Sequence, residues 1–555
     1  ELILQGIRVD IASLCLLLIV PILLNFIFTG QNKVSVFILW LTKIYLLACF
    51  IFLVFMELAT PSFIIEYDLR PNRLFIEYLI YPQEVFSMLM KGHLLSMLLS
   101  LVGIVIVFFL AKRFFLKPFK QVTPSNNWRF FSLVLVIIVL FFGARSTLGH
   151  RPLNPAMVYF STDPLVNSLV LNSSYAVAFA AKQMMNKINI EKMYGKLDRE
   201  TIIATIQQFK HIENSRYIDG ELPSLAKQTA SFRGKKKNLV IILQESLGAR
   251  FVGSLGGLPL TPNLDELSSQ GWFFERMFAT GTRSVRGIEA VMTGFTPTPA
   301  RAVVKLDKSQ HNFFTLAQLL KQHGYFTQFI YGGESHFDNM KSFFLGNGVS
   351  DIHDLETFIQ PSFVGSWGAS DEDLFDEADK SFTTLHQAQQ PFFSFVFTSS
   401  NHDPFEFPEN RITPIEYSDQ EKQFYGEKEL ARHQAIQYAD WALGAFIEKA
   451  KKSAYWQDTI FLVIADHDAR VQGGSLVPVK SFHIPALILA KDLEAKKINY
   501  VTSQIDMAPT LLSLMGVDNI NPMLGRDLTQ VEADYQGRAI MQYANNFALL
   551  EHEQL

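Results

Sequence analysis

Cysteine is almost missing: the 555 residues hold two, Cys15 and Cys49, and both lie inside apolar runs. A Cys-x-x-Cys metal site or a disulfide framework cannot be built from such a pair. A basic excess is missing too. Lys and Arg number 49 against 53 Asp and Glu, a net charge of -4, so no surface for nucleic acid is implied. Internal repeats and low-complexity tracts are absent, which argues against a solenoid or a propeller. Apolar residues, by contrast, are abundant. They make up 49% of the chain and Phe alone occurs 49 times, high for a soluble protein. The cause is local, because the long apolar runs lie in the first 150 residues.

Four of these runs are candidate membrane helices: Ile11–Thr29, Ser35–Met56, Leu94–Ala111 and Phe130–Ala144. A span needs roughly 20 apolar residues. The first three approach that length; the fourth reaches it only by extending toward Leu148. Four closely spaced runs favour a membrane over buried core helices. Lys43, inside the second run, is costly in lipid unless it faces protein or snorkels. The stretch from Lys112 to Lys120, with Arg129 beyond it, is strongly basic. By the positive-inside rule it is cytoplasmic, so the fourth helix delivers everything after about residue 145 to the outside. Counting back, 57–93 is outside, Gln31–Lys33 inside and Glu1 outside. The chain starts without Met in what reads as mid-segment, and one preceding helix is expected. Residues 57–93 are amphipathic and aromatic; an interfacial segment and an ordinary ordered loop both fit them.

Beyond the membrane, short apolar strands alternate with helical stretches. Strands read at Leu239–Leu243, Phe326–Tyr331, Pro391–Thr398, Ile460–Ile464 and Ile484–Leu489. Helices read at Leu165–Met185, Phe314–His323, Asp371–Gln389, Lys428–Lys452 and Asp506–Met515. The alternation predicts an α/β domain with a mainly parallel sheet flanked by helices, following an α-helical transmembrane domain. The boundaries read as 1–148 transmembrane, 149–236 an extracytoplasmic helical connector, 237–530 the α/β domain and 531–555 a C-terminal segment.

Two strand ends carry chemistry. The first strand runs into Gln244-Glu245-Ser246, the later one into Ala465-Asp466-His467-Asp468. In open α/β sheets the carboxyl edge is where ligands bind. Between them lies a hydroxyl-rich turn, Thr280 to Gly287, opening a helical pattern. Glu and Asp-His at strand tips, with Thr280, Thr282 or Ser284 on a turn between them, make a metal-and-nucleophile site. The bland alternative for Glu245 alone is a helix N-cap carboxylate.

The segment "TPNLDELSSQGWFFERMFATGT" resembles the pattern that follows the first metal ligand in the alkaline phosphatase and sulfatase superfamily. "IADHD" resembles its second metal pair and "SQIDMAPTLLSLMGV" its late helix. Within that superfamily, "GTRSVRGIEA", "GGESHFDNM", "NHDPF" and "FHIPALIL" resemble the branch of lipoteichoic acid synthases and periplasmic-glucan phosphoglycerol transferases, over about residues 1–545.

The resemblance implies residue roles. Glu245, Asp466, His467 and Ser284 would hold one divalent ion, manganese first, with magnesium or zinc as alternatives. Ser284 would be the nucleophile, at a position where the branch usually has Thr. Arg283 and Arg286 would clamp phosphate, unless they form structural ion pairs. His402 and His483 would contact substrate. His336, Asp338 and Asn339 fall where relatives hold the lipid headgroup; the synthases carry Trp and Arg there, whereas this chain has Asp338 and Met340. A sulfatase activity is disfavoured, since Ser284-Val-Arg-Gly-Ile288 lacks the Pro and the final Arg of the formylglycine signal. The implied activity is transfer of glycerophosphate from phosphatidylglycerol, through a Ser-linked intermediate, to an envelope glycan. The implied place is the bacterial inner membrane, multi-pass, with the catalytic domain in the periplasm or outside. A phosphoethanolamine transferase of the same fold is the second reading, though its usual disulfides are missing; a catalytically silent membrane envelope protein is the third.

The orientation is directly testable. In a chain with Cys15 and Cys49 replaced, Ser125→Cys should resist a membrane-impermeant thiol reagent in intact cells, and a cysteine introduced on the surface of the α/β domain should react. The opposite labelling pattern would invert the topology.

Overall fold

The computed structural model divides into two compact units, Glu1–Lys187 and Ile188–Leu555. The structure describes residues 1–28, 30, 32–67, 70–72, 75–76, 79, 94–117, 126–148, 152–161, 163–185, 194–210, 212–213, 216–218, 222–469, 475–544 and 546–551.

The first unit is built on α1 (Leu2–Ile27), α2 (Lys33–Tyr67), α3 (Leu94–Phe115) and α4 (Asn126–Arg145). Among the described residues three helices, at Leu2–Ile27, Lys33–Ile65 and Met97–Phe115, are long and apolar enough to cross a membrane, and Phe130–Arg145 is a shorter apolar one. Their large side chains, among them Ile3, Leu99, Phe109 and Phe130, stay exposed. Such a surface is unfavourable in water and at home in hydrocarbon.

Helix α1 starts well before the expected Ile11. Polar residues in its first turns find partners: Arg8 Nε donates to the Ser146 carbonyl at 3.0 Å, and Asp10 accepts from Asn172 at 3.0 Å. Lys43 Nζ donates to the Lys117 carbonyl at 2.8 Å, which answers its cost inside an apolar run. Helix α2 runs on to Tyr67 instead of ending near Met56. Most of the remaining stretch to 93, like 118–125 of the basic loop, lies outside the described residues. The helix expected over Leu165–Met185 is two: α5 (Pro164–Val170) and α6 (Ser173–Met184). Capping chemistry makes the break. Leu171 is extended, and the Asn172 side chain accepts from Tyr175 N at 2.7 Å to start the second helix.

The second unit holds an eight-stranded sheet. Its strands are β1 (Asn238–Gln244), β2 (Trp272–Phe274), β3 (Phe326–Tyr331), β4 (Asp351–His353), β5 (Phe392–Phe397), β6 (Thr459–Ala465), β7 (Ala486–Leu489) and β8 (Lys496–Ile498). The spatial order is β8-β2-β7-β6-β1-β5-β3-β4. Neighbours from β6 to β4 are parallel, whereas β7 is antiparallel to both β6 and β2. Every residue of β1 and β6 is buried. Strands covered on both faces by helices read as unbroken apolar runs, as these two do. Helix α7 (Arg199–Lys210) precedes the sheet. The covering helices include α8 (Ser284–Thr293), α9 (Asp371–Gln387), α10 (Asp419–Lys452, kinked at Gly426) and α11 (Met507–Met515).

The expected connector 149–236 does not form one element. Its first part belongs to the helical unit; its last part pairs with the α/β unit, Ala226–Gln228 antiparallel to Asn519–Asn521. Residues beyond 531 also join the domain. The hairpin β9 (Arg538–Tyr543) and β10 (Asn546–Glu551) places Ala539, Met541 and Leu550 in the main core. Arg538 is 1% exposed and donates to Asp506 Oδ1 at 3.0 Å. That carboxylate also accepts from Ser503 N and Arg526 N, pinning the entrance to α11.

Removing one partner of a buried pair leaves an uncompensated charge, so Arg538→Ala should cost about 3–5 kcal/mol. Urea unfolding of the purified chain, followed by tryptophan fluorescence, checks this; a loss below about 1 kcal/mol would place the pair among surface-like ones.

Candidate active site at the tips of the parallel strands

Parallel pairing puts the carboxyl ends of β1 and β6 on one edge, with Gln244 opposite Ala465. The next residues, Glu245 and Asp466, therefore emerge side by side. Ser246 takes a positive φ of 53° and turns the chain sharply. Its N–H donates to Asp466 Oδ1 at 2.7 Å and its hydroxyl to Glu245 Oε1 at 2.7 Å. The tip of β1 is held from the other side as well. Glu245 N donates to Thr398 Oγ1, and Asn401 Nδ2 donates to the carbonyls of Glu245 and Ser246.

Glu245, Asp466 and His467 each offer a ligand atom within 4.8 Å of the others. His467 Nδ1 lies 2.7 Å from the Asp468 carbonyl. A carbonyl can only accept, so the ring proton belongs on Nδ1 and Nε2 carries the free lone pair. That Nε2 stands 3.4 Å from Asp466 Oδ2, a buried oxygen with no hydrogen bond of ordinary geometry. Burial pushes the Glu245 carboxyl above its usual range, with the negative charge of Asp466 adding to it, and burial does the same to Asp466. Two hard carboxylates and one imidazole suit manganese, magnesium or zinc, and an ion would compensate both charges.

Ser284 completes the group. It is the first residue of α8, and its Oγ donates to Glu245 Oε2 at 3.3 Å. A helix N-terminus offers unsatisfied N–H groups and a partial positive charge, favourable for phosphate. The close approach depends on Gly287, where a Cβ would stand 2.7 Å from the Asp466 Cα. Thr280 is fully buried, its hydroxyl lies 3.4 Å from the Arg286 carbonyl and from Gln504 Oε1, and it does not line the space beside Ser284.

A small cavity adjoins Ser284 and Glu245, lined further by Tyr331, Phe337, Asp338, Trp367 and His402. Of the residues expected at the substrate, Asp338 and His402 are brought here. His402 packs against Trp367 with ring centroids 3.6 Å apart and the planes tilted by 39°, and Asp338 pairs with Lys305 at 2.7 Å. Others go elsewhere. The Arg286 guanidinium is buried and donates to Glu289 and to the carbonyls of Thr298 and Ala300, which makes it a clamp on the 298–303 segment and not a phosphate ligand. His483 Nε2 binds the Glu275 carbonyl at 2.8 Å, its ring against Phe278. His336 pairs with Glu334, and Asn339 takes a left-handed conformation to start the helix Met340–Gly346; neither lines the cavity. Arg283 is an exposed residue just ahead of Ser284.

Two contributors were not expected from sequence. Gln504 Nε2 donates to the carbonyls of Ala465 and Asp466, fixing the second metal strand from below. Trp367 reaches the cavity from the tip of the hairpin Val364–Gly365/Gly368–Ala369. Neither carries a motif; only the tertiary approach reveals them.

A parallel sheet with a carboxylate–imidazole cluster that could hold a metal ion, and a helix-N-terminal serine at its carboxyl edge, is the arrangement of a hydrolase- or transferase-type α/β site. Comparison with known proteins makes the class specific. The Sulfatase family model matches residues 237–517, and the chain belongs to that family. A crystal structure of a protein in the alkaline phosphatase superfamily from Vibrio parahaemolyticus is similar at 56% identity and a TM-score of 0.61, over 65% of this chain and 86% of that one. The lipoteichoic acid synthase-like YvgJ of Bacillus subtilis is 24% identical over 319 residues, 53% of this chain and 50% of YvgJ. Phosphoglycerol transferase I of Xanthomonas campestris pv. campestris (strain B100) is 27% identical over 294 residues, 51% of this chain and 41% of the relative. The chain thus spans about half the length, or less, of these two curated relatives.

The cluster predicts a metal phenotype. The double variant Asp466→Ala, His467→Ala should lose a divalent ion that the unaltered protein retains, as read by elemental analysis after gel filtration. Full retention of the ion would refute the ligand set.

Proposed function

We propose that the protein is a membrane-anchored, metal-dependent phosphoglycerol transferase, with Ser284 as the nucleophile. The observation that carries the reading is the Ser284 hydroxyl at the N-terminus of α8, 3.3 Å from Glu245 and beside Asp466 and His467. The names of the curated relatives support the choice of donor class. Phosphatidylglycerol is the proposed donor and an envelope glycan the acceptor. The proposed orientation places the catalytic unit outside the bacterial inner membrane.

Glu245, Asp466 and His467 would hold the ion together with Ser284 Oγ. When bound, it supplies Lewis acidity and charge compensation for the reacting phosphate. The chain's own groups do the rest. Ser284 Oγ points its proton at Glu245 Oε2 and attacks phosphorus; the bond from phosphorus to the diacylglycerol oxygen breaks. His402, on the cavity wall, is placed to give that oxygen its proton, releasing diacylglycerol. An acceptor hydroxyl then attacks the phosphorus of the glycerophospho-serine, giving its proton to His402; the bond from phosphorus to Ser284 Oγ breaks, and Glu245 returns the proton to that oxygen. The N–H groups opening α8 face the non-bridging oxygens. Trp367 holds the His402 ring in place.

Sulfate ester hydrolysis fits less well: formylglycine formation has no signal around Ser284, and both cysteines lie in the apolar helices. Phosphoethanolamine transfer is the second reading; Asp338 on the cavity wall offers a carboxylate, but Lys305 already pairs with it, which favours the first.

Labelled phosphatidylglycerol with manganese and purified protein tests the proposal. Ser284→Ala should abolish diacylglycerol release while leaving the fold intact, and Ser284→Thr should retain activity. Thr280→Ala and Thr282→Ala should lose far less. A covalent adduct found by mass spectrometry on Thr280 or Thr282, or full activity in Ser284→Ala, would overturn the assignment.

A further inference from the structure

The first unit contains a cleft of about 520 Å³, within the range of ligand pockets. Its lining is apolar at Ile7, Leu14 and Leu53 and polar at Asp10, Glu57, Arg70 and Asn172, where Arg70 bonds Glu57 and Asn172 bonds Asp10. Ionisable groups inside apolar spans are expensive and mark function. Asp10 lies about 12 Å along α1 from its first residue, and Glu57 about 15 Å from the last residue of α2, at 1.5 Å per residue. The two helix ends meet, because residues 172 and 173 touch both: Asn172 Nδ2 donates to Asp10 Oδ1 at 3.0 Å, and Glu57 Oε1 accepts from Ser173 N at 2.9 Å. The polar end of the cleft therefore sits at one depth, near one face of the bilayer.

We infer that this cleft is a phospholipid site, with an acyl chain along the apolar wall and an ammonium-bearing, zwitterionic headgroup of the phosphatidylethanolamine class at its polar end. Charge decides the headgroup. Glu57 is neutralised by Arg70, whose Nη1 lies 3.0 and 2.9 Å from its two oxygens. Asp10 has no cation of its own among the residues lining the cleft, and its bond from Asn172 leaves its charge uncompensated. An ammonium group supplies the missing charge. Arg70 Nε, buried and without a hydrogen-bond partner among the described residues, is a ready donor to the phosphate. An anionic glycerol headgroup would instead add a second negative charge beside Asp10. The inference rests on reading α1 and α2 as membrane spans and not on the proposed catalytic reaction.

The test is native mass spectrometry of the full chain released from nanodiscs of equal phosphatidylethanolamine and phosphatidylglycerol. The unaltered protein should retain phosphatidylethanolamine in preference. Asp10→Asn should reduce that preference about tenfold, the equivalent of one charge-assisted hydrogen bond. Leu53→Trp, which fills the cleft, should abolish retention, whereas Leu53→Ala, which widens it, should not; thermal unfolding of each variant controls for folding. Retention of phosphatidylglycerol in preference, equal retention in Leu53→Trp, or no retained lipid because protein fills the cleft, each overturns the proposal.

Discussion

Two carboxylates, Glu245 and Asp466, stand fully buried on adjacent parallel strands, and their repulsion in a dry site is the constraint around which the catalytic unit is arranged. Neither would be stable there as an isolated charge. The surroundings answer with N–H donors from Ser246 and His467, a serine hydroxyl on each side, and an imidazole whose free nitrogen faces the pair. What remains uncompensated is what a divalent cation supplies. A site so constituted costs stability when empty, as perturbed ionisable groups at functional sites do.

The sheet serves this pair. Because β1 and β6 are neighbours and parallel, their ends coincide and two residues some 220 positions apart in sequence come within hydrogen-bonding range of one another's supports. Gln504, Thr398 and Asn401 then grip the strand ends through backbone groups, leaving the metal-facing side chains free. Gly287 lets α8 lie against Asp466, which aims Ser284 at the cluster. A packing requirement, a backbone hydrogen-bond requirement and a catalytic requirement converge on the same few residues.

The helical unit meets a similar problem in a different solvent. Arg8, Asp10, Lys43 and Glu57 would each be costly on an isolated span. Each is met by a carbonyl, an amide or a counter-charge supplied by another segment of the same unit. Segment 152–173 thereby does more than link: Asn172 and Ser173 begin a helix and hold two charged residues of the bundle.

The sequence by itself determined the elements and the chemistry of the site. Unbroken apolar runs marked β1, β5 and β6 to within a residue or two, since strands buried on both faces need no alternation. The alternation of strands and helices identified a mainly parallel sheet, and the acidic strand ends named Glu245, Asp466 and His467, because carboxylates just past an apolar strand have no other place to go than its carboxyl edge. Apolar run length marked the membrane helices, but not their ends, since polar residues such as Asp10 were satisfied by segments distant in sequence. Tertiary structure alone decided which polar residues face the site. Arg286 is two residues from Ser284, just over half a helical turn, and reads equally as clamp or ion pair; helix rotation sends it to Glu289 and the carbonyls of Thr298 and Ala300. His483 and His402 read alike as loop histidines, yet only His402 lines the cavity, where Trp367 holds it. Direction is a property of packing between elements, and no local pattern encodes it.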